Sequence, residues 1–563
     1  MTSSSAPHPA NSGSERLWWW GLVAATAVNC VFQIAWFWRF HARNITMDGI
    51  DYIGLARHLV DGNWRASLHG YWSPLTSWII AGASVFGSNF TLLGHLVTLG
   101  SCLLCLPLLY WLTWRLWRSR VAAALAMFWF STARGIAAEA VGSIIADFVL
   151  TACVLLYFIL LLEALRRNTS AAWLVMGAAH GLAFLAKAIA MPWLAISTLL
   201  AVLLRNARAP RRILAVLLLA FLLPAAVWAG WGLTLRAKYG VFTTGYQLRA
   251  NLQTNWTRRL AHRARGDDAA FGDTSSLYDE YMVGETSWSG LQAFRLRNPA
   301  LLRMIFDSEL QNLPQAVKEM LILLTPGGVL GLLFILWLLF NRSSRDSSQA
   351  LFAGIALVSA IAVIGAYCML VFDGRYVIPV VTILIAIGSP ALVPSGWAGD
   401  APRVAGWVQK LALALFVAST IFFSLYWASP FRTVDRDFEA SCYPAAEILR
   451  NAKPHGTLVS IGDGPYPEHG LGFEAAPYLA YFAGWRLVAG NSQLPAAEGV
   501  EELVGKALGV KSDAVAIWGS PRNPAYEQIV EQIRDASPGS SATRMTDPKK
   551  GEVGTLILRK SPN

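Results

Sequence analysis

Apolar runs of about twenty residues recur along this chain, and runs of that length restrict it to a membrane fold. The sequence has 563 residues, of which 55% are hydrophobic and 14% are charged. Inside a bilayer each backbone N–H and C=O group needs a partner within the protein, so such runs fold as helices. The sequence therefore predicts an α-helical polytopic membrane protein.

The lengths of the apolar runs, and the basic residues that follow them, predict about eleven membrane spans. The segment 74–86 is apolar but short, and we interpret it as a surface or dipping segment. The predicted spans cover about residues 17–40, 92–113, 121–137, 147–164, 171–186, 189–204, 213–235, 319–340, 351–372, 376–394 and 409–427.

Clusters of Arg and Lys recur after every second predicted span, and this asymmetry predicts the orientation of the chain. Basic loops remain in the cytoplasm, so we expect a multi-pass protein of the inner (plasma) membrane with a cytoplasmic N-terminus. The net charge of +11 is explained by this orientation and by anionic lipid headgroups. No motif for binding nucleic acid is present.

Composition predicts three regions. Residues 1–16 form a disordered cytoplasmic tail, and residues 17–429 form the transmembrane catalytic domain, with a first outer loop at 41–78 and a long outer loop at 236–317. Residues 430–563 form a soluble extracytoplasmic α/β domain, because short β-branched runs alternate there with helical patterns. The predicted strands are Thr457–Ile461, Arg486–Ala489, Ala514–Trp518 and Thr555–Leu558, and the predicted helices lie near 440–452, 473–483, 496–508 and 524–535.

The first outer loop contains two carboxylates, Asp48 and Asp51, at the start of a short amphipathic helix that Gly62 ends. This helix is predicted to lie along the membrane surface and to hold both acids at the boundary between water and lipid. The alternative is a capping role, in which Asp48 is the N-cap and Asp51 completes a capping box.

Charged residues also stand at the ends of other predicted spans on the outer side, namely Asp147, Lys187 and Arg375. Each has a structural alternative, because Asp147 could cap a helix and the two cations could extend to lipid headgroups. Their convergence on one face favours a common site. Gly177 and Gly181 form a GxxxG pattern within a span, which predicts close helix packing.

Five short motifs follow one another on the predicted outer side, namely Asp48-Gly-Ile-Asp51-Tyr52, Tyr71-Trp72-Ser73-Pro74-Leu75, Asp147 in IIADFVL, the run from Gly181 to Lys187, and Gly374-Arg375-Tyr376-Val-Ile-Pro379. In their order, spacing and side of the membrane they resemble the motifs of GT-C glycosyltransferases. Within that class the chain is similar to glycosyltransferase family 39, the branch of the protein O-mannosyltransferases and the aminoarabinose transferase of lipid A. The resemblance covers about residues 17–430. The chain departs from the family pattern at Gly49, where relatives often have an acid, and at Ala186-Lys187-Ala188, where relatives usually have Thr-Lys-Gly.

The resemblance implies a hexosyl- or pentosyltransferase that moves a monosaccharide from a polyprenyl-phosphate donor to a hydroxyl of a lipid, glycan or protein acceptor. Transfer would invert the anomeric centre on the outer (periplasmic) face, with Asp48, or else Asp51, as the base. Lys187, Arg375, Tyr376 and Tyr52 would bind the donor and its phosphate. A divalent cation such as Mg, Mn or Zn would be held by Asp48 and Asp147, and no nucleotide would take part.

Two alternatives from other classes remain. A transporter or flippase of lipid-linked sugars would also have many spans, but its charged groups are expected near the bilayer midplane, whereas these gather on one side. A polysaccharide polymerase or ligase would work in the same compartment with a diphosphate-linked donor. We further expect the long outer loop to cover the active site when substrate binds.

Overall fold

The computed structural model describes most of the membrane region and most of the C-terminal region, and the described residues fall into two compact units. One lies within residues 1–251 and 299–427, and the other within residues 428–563. The spans predicted at 319–340 and 409–427, and nearly all of the loop at 236–317, lie outside the described residues. The described ranges are 13–38, 45–133, 136–240, 242–245, 312–320, 347–368, 374–393, 437–462, 479–480, 483–491, 500–519, 524–547 and 551–559.

The first unit is helical, and every predicted span that falls within the described residues coincides with a helix. Five of the helices (α1, α4, α7, α10 and α11) are long and apolar enough to cross a membrane. Residues 312–320 are also helical. The helices are α1 Gly13–Trp38, α2 Met47–Val60, α3 Pro74–Ala83, α4 Phe90–Trp117, α5 Arg120–Thr132, α6 Ile136–Gly142, α7 Asp147–Arg167, α8 Ser170–Ala186, α9 Ala190–Arg205, α10 Pro210–Tyr239, α11 Ser347–Cys368 and α12 Ile378–Gly388.

One helix, α5, is shorter than the sequence predicts, and the segment interpreted as a surface or dipping one is helical. The span predicted at 121–137 ends at Thr132, where α5 stops after 13 residues. Most of α5 is buried within the protein, so its length need not match the thickness of a bilayer. The segment 74–86 forms α3 followed by a 3-10 turn, Ser84–Phe86.

Large apolar side chains cover the outside of the long helices, as lipid contact requires. Leu17 and Val28 on α1, Leu104 on α4, Leu218 on α10 and Ile361 on α11 are each at least half exposed. Exposed apolar surface of this extent is unfavourable in water but favourable against acyl chains. The helical unit is therefore a membrane-embedded one.

Helices α8 and α10 approach closely at the predicted GxxxG pattern, which confirms that prediction. A Cβ atom on Gly177 would lie 2.5 Å from the carbonyl oxygen of Ala220, and one on Gly181 would lie 3.0 Å from a methyl group of Val227. Pro224 has no N–H to donate to the Ala220 carbonyl, its usual partner four residues earlier. The glycine at 177 therefore lets α8 pack against the place where α10 lacks a hydrogen bond.

The second unit contains a five-stranded mixed sheet with the order β2-β1-β3-β5-β4. Strand β1 pairs in parallel with β2 and β3, while β5 pairs antiparallel with β3 and β4. All four predicted strands are confirmed, and β4 is one that the sequence analysis missed. The elements are α13 Asp437–Ala452, β1 Thr457–Ile461, β2 Arg486–Asn491, α14 Val500–Gly509, β3 Ala514–Trp518, α15 Pro524–Asp535, β4 Ser541–Asp547 and β5 Gly551–Leu558.

Strand β4 reads Ser541-Ala-Thr-Arg-Met-Thr-Asp547, a largely polar run at the edge of the sheet. A strand at an edge is paired on one side only, so its sequence lacks the apolar run that marks β1 and β3. The core of this unit lies between the sheet and the apolar faces of α14 and α15.

The contact between α8 and α10 predicts that Gly177→Ala destabilises the protein. The added methyl group would meet a backbone carbonyl that cannot move aside, and overpacking of this kind costs about 1–3 kcal/mol. The measurement is the thermal unfolding midpoint of the purified protein in detergent. Gly100→Ala on α4 is the control, because a Cβ there meets no atom within 4 Å. Equal midpoints for the two variants would contradict the close contact.

Candidate functional site

The N-terminus of α2 is capped by Thr46, and this excludes the capping interpretation of Asp48. The Thr46 hydroxyl accepts a hydrogen bond from the backbone N–H of Gly49, at 3.1 Å. Asp48 lies inside the first turn, where its carboxylate is available for other contacts. Gly62 follows the helix with a φ of +76°, so the predicted left-handed ending is confirmed.

One face of α2 is buried against protein. Tyr52, Ile53 and Ala56 are almost fully enclosed, and α2 packs on α3 and α4. Val60, by contrast, is about half exposed. Neighbouring helices therefore cover much of the apolar face of α2, and its position along the membrane surface stays a prediction.

Asp48 forms an ion pair with Arg375. The distance between the Asp48 Oδ2 atom and a guanidinium nitrogen of Arg375 is 2.7 Å, and the side chains are 25% and 16% exposed. Arg375 lies in a 3-10 turn, Gly374–Val377, directly before α12. A residue near the start of α2 is thus joined to one more than three hundred positions further along the chain, and Arg375 does not extend to lipid headgroups.

A second ion pair joins Asp147 and Lys187, with 2.7 Å between the Asp147 Oδ1 atom and the Lys187 Nζ atom. These side chains are 2% and 11% exposed. Asp147 is the first residue of α7, where Ala146 holds the N-cap position without a side-chain hydrogen bond. Lys187 is the C-cap residue of α8. The carboxylate therefore serves as the counterion of a buried lysine instead of as a helix cap.

The two cations meet on the ring of Tyr376. The Lys187 Nζ atom lies 4.2 Å from the ring centroid, and the central guanidinium carbon of Arg375 lies 5.5 Å from it. Tyr367, at the end of α11, stacks on Tyr376 with the centroids 4.5 Å apart and the planes at 19°. Cations are attracted to the face of an aromatic ring, so this ring brings both ion pairs into one cluster.

Asp51 and Tyr52 lie beside this cluster, in contact with Trp72. The rings of Tyr52 and Trp72 pack edge to face at 5.4 Å. The pKa of the Asp51 carboxyl is raised to about 8, first by burial and then by the negative charge of Asp48, while a hydrogen bond with the Trp72 side chain acts in the opposite direction. Asp51 is therefore largely protonated at neutral pH, whereas Asp48 forms its ion pair with Arg375.

The turn that carries Trp72 is fixed by hydrogen bonds from two directions. The Nδ1 atom of His69 accepts hydrogen bonds from the backbone N–H groups of Tyr71 and Trp72, at 3.0 and 3.3 Å. The Lys238 Nζ atom, near the end of α10, donates to the carbonyl of Leu68 at 2.7 Å. These contacts join the segment between α1 and α4 to the end of α10.

The structure brings together all seven of the residues singled out from the sequence, Asp48, Asp51, Tyr52, Asp147, Lys187, Arg375 and Tyr376. Tyr52 lies close enough to Asp48, Asp147, Lys187 and Arg375 to interact electrostatically with each.

Sequence reasoning missed two contributors to the site. Tyr367 lies within an apolar span, where no pattern distinguishes it from a membrane-facing aromatic residue. Thr46 could have been recognised as an N-cap, because threonine is a preferred residue at that position. Trp72 belongs to a motif that was recognised, but its place beside Asp51 depends on how the loop folds.

The described side chains do not form a ready metal site. Within the described ranges, no group of three or more His, Cys, Asp or Glu side chains could hold a metal ion. Asp48 and Asp147 each have a cationic partner already, so a metal ion would have to displace Arg375 or Lys187. A divalent cation between these carboxylates stays a prediction, and we derive no step through it.

The fold of this chain is that of the GT-C glycosyltransferases, and two solved structures similar to it are of the same protein. They are those of ArnT, a lipid A aminoarabinose transferase, from Cupriavidus metallidurans. The structure of ArnT bound to undecaprenyl phosphate is 15% identical, covers 98% of this chain and 99% of its own, and has a TM-score of 0.50. The apo structure is 14% identical, covers 96% and 97%, and has a TM-score of 0.51.

No family model matches the chain, and a search of curated proteins by sequence gave no match. At the identities of the ArnT structures the likeness shows the fold, and function has to be argued from the site. The resemblance stated from the sequence is confirmed at this level.

The burial of the Asp147–Lys187 pair predicts that Asp147→Asn is strongly destabilising. Loss of the carboxylate would leave a buried ammonium group with no counterion, which costs about 3–5 kcal/mol. The thermal unfolding midpoint measures the effect. Glu502→Gln is the control, because Glu502 pairs with Lys506 on the exposed surface of the second unit and should cause no measurable change. Similar midpoints for both variants would contradict the burial of the pair.

The raised pKa of Asp51 predicts that protein stability falls as the pH rises. The carboxyl has a pKa of about 8 in the folded protein and 3.8 as a free side chain, so the folded state holds its proton more tightly. Protonation of Asp51 therefore stabilises the folded protein. This stabilisation is complete below pH 3.8, the pKa of the free side chain, and is lost as the pH rises through about 8, the pKa in the folded protein.

Asp51→Asn should therefore raise the unfolding midpoint more at about pH 9 than at about pH 5. Asp61→Asn is the control, since Asp61 is the exposed C-cap residue of the same helix, and it should keep the wild-type dependence on pH. An unchanged pH dependence in Asp51→Asn would show that Asp51 is ionised like an exposed carboxylate.

Proposed function

We propose that this protein is a membrane glycosyltransferase that moves a monosaccharide from a polyprenyl-phosphate donor to an acceptor hydroxyl. The observation that carries the proposal is the meeting of two acid–cation pairs, Asp48–Arg375 and Asp147–Lys187, on the ring of Tyr376. The ArnT fold supports it, since one of the similar structures holds undecaprenyl phosphate.

The two cations suit the phosphate of the donor. Lys187 is fixed by Asp147 and by the face of Tyr376, so its charge is oriented before substrate arrives. Negative charge grows on the phosphate as the glycosidic bond breaks, and fixed cations stabilise that transition state more than the ground state. Arg375 is less deeply buried, and it can move from Asp48 to the phosphate when the donor binds.

That exchange of partners frees Asp48 to act as the base. In the proposed reaction the acceptor oxygen attacks the anomeric carbon, and the bond between that carbon and the phosphate oxygen breaks. The acceptor proton passes to Asp48 and polyprenyl phosphate leaves, with inversion at the anomeric centre. Asp51 is the second candidate, because a carboxyl with a pKa of about 8 is the stronger base once it has lost its proton.

Other parts of the proposal concern location and partners. The active site faces the periplasm, the N-terminus lies in the cytoplasm, and the C-terminal unit is extracytoplasmic. The acceptor is a lipid, a glycan or a protein. Tyr52 and Tyr376 line the donor site. A flippase of lipid-linked sugars, or a polysaccharide polymerase or ligase with a diphosphate-linked donor, is the alternative.

The assay is transfer from short-chain polyprenyl-phosphate sugars by the purified protein, with release of polyprenyl phosphate as the readout. Asp48→Asn should reduce kcat by about 10²–10⁴-fold, the usual contribution of a general base. Asp61→Asn, in the same loop but at the exposed end of α2, should keep wild-type activity. The unfolding midpoints confirm that each variant is folded.

Two results would count against the proposal. If wild type released no polyprenyl phosphate across a panel of donor sugars, the enzyme class would be wrong, and diphosphate-linked donors and lipid transport would be tested next. If wild type were active and Asp48→Asn matched it, Asp48 would not be the base, and Asp51→Asn would be compared in the same assay.

A further inference from the structure

The hydroxyl of Thr46 connects two segments that carry the acids of the site. It accepts a hydrogen bond from the N–H of Gly49 at 3.1 Å and donates one to the carbonyl oxygen of Ile144 at 3.0 Å. The first contact fixes the start of α2, because Thr46 caps this helix two residues before Asp48. The second fixes the turn that leads into α7, three residues before Asp147. One side chain therefore ties both segments together.

Ile144 is held in place by two glycines. A Cβ atom on Gly49 would lie 2.8 Å from the Cβ of Ile144, and one on Gly94 would lie 2.8 Å from its Cδ1 atom. Both distances are shorter than side-chain carbons adopt, so α2 and α4 approach Ile144 only because these positions have no side chain. Ile144 itself is fully buried.

We propose that the contact between Thr46 and Ile144 is a positioning device for sugar transfer, with Thr46 as its central residue. The device sets the separation between Asp48, the proposed base, and Asp147, the counterion of the phosphate-binding Lys187. Because a displacement of about 1 Å can cost 10²-fold in rate, a fixed separation matters for catalysis. This inference rests on the proposed function.

The device also explains the glycine at position 49, directly after the first acid. The backbone carbonyl of Ile144 would lie 3.1 Å from a Cβ at position 49, so shortening the Ile144 side chain does not make room there. Position 49 therefore cannot accept an acidic side chain unless the 143–146 turn moves away from α2.

The first test removes the hydroxyl while it keeps the shape of the side chain. Thr46→Val should lower kcat for transfer by about 10–100-fold, with a smaller change in KM for the donor, because the binding groups remain. Thr46→Ser retains the hydroxyl and should restore wild-type kcat. Thr26→Val is the matched control, since Thr26 is a buried threonine of α1 whose hydroxyl donates to the carbonyl of Leu22 in the same helix. It should leave kcat unchanged.

The second test uses the contact between Gly94 and Ile144 and does not alter the cap of α2. Gly94→Ala should lower kcat, because its methyl group would displace Ile144. Gly94→Ala combined with Ile144→Ala removes the side-chain atoms that the methyl group would meet, so the double variant should be more active than Gly94→Ala. A double variant no more active than Gly94→Ala would contradict the positioning role.

Hydrogen–deuterium exchange of the full-length protein tests the device independently of activity. Thr46→Val should speed exchange both at residues 47–50 and at residues 144–150, while Thr26→Val and Thr46→Ser should change neither. Faster exchange confined to 47–50 would mean that Thr46 is only a helix cap, and would overturn the inference.

The activity results separate this inference from the proposed function. Wild-type transfer with an equal kcat in Thr46→Val would overturn the positioning device and leave the transferase assignment intact. Absence of transfer by wild type would overturn the transferase assignment, and the exchange experiment would then decide whether the two segments are coupled.

Discussion

The candidate site depends on the neutralisation of charge inside a protein that lies in a membrane. Burying a lone carboxylate or ammonium group is strongly unfavourable, so each such group needs a partner at hydrogen-bonding distance. Asp147 and Lys187 satisfy this requirement between α7 and α8, and Asp48 and Arg375 do so between α2 and the turn before α12. Segments distant in the sequence are thereby held around the ring of Tyr376.

The helix packing serves the same arrangement. Lys187 is the C-cap residue of α8, and α8 packs most closely on α10 where Gly177 meets the carbonyl of Ala220. A helix transmits such a constraint over its length because it is stiff. The close contact near the middle of α8 thus helps to fix the position of the Lys187 ammonium group at the end of the helix.

The sequence predicted the spans and the charged residues because both depend on local patterns. Apolar length identifies a span, and an acid or a cation at a span end is conspicuous against an apolar background. The sequence could not reveal that Asp48 pairs with Arg375, or that Tyr367 stacks on Tyr376, since these contacts depend on how distant helices pack. Asp48 resembled a cap because the preference of aspartate for that position is strong, but Thr46 holds the position. The polar edge strand β4 was missed for want of an apolar run.

The balance of charge in the resting site has a consequence for turnover under the proposed reaction. The four charged groups of the described site, two acids and two cations, sum to zero. A polyprenyl-phosphate sugar is a phosphodiester with one negative charge, whereas the polyprenyl phosphate left after transfer approaches two. Once Asp48 releases its proton to solvent, the site holds more negative charge with product than with donor. The regenerated Asp48 carboxylate then competes with the phosphate for Arg375, and the return of Arg375 to Asp48 favours departure of the spent carrier.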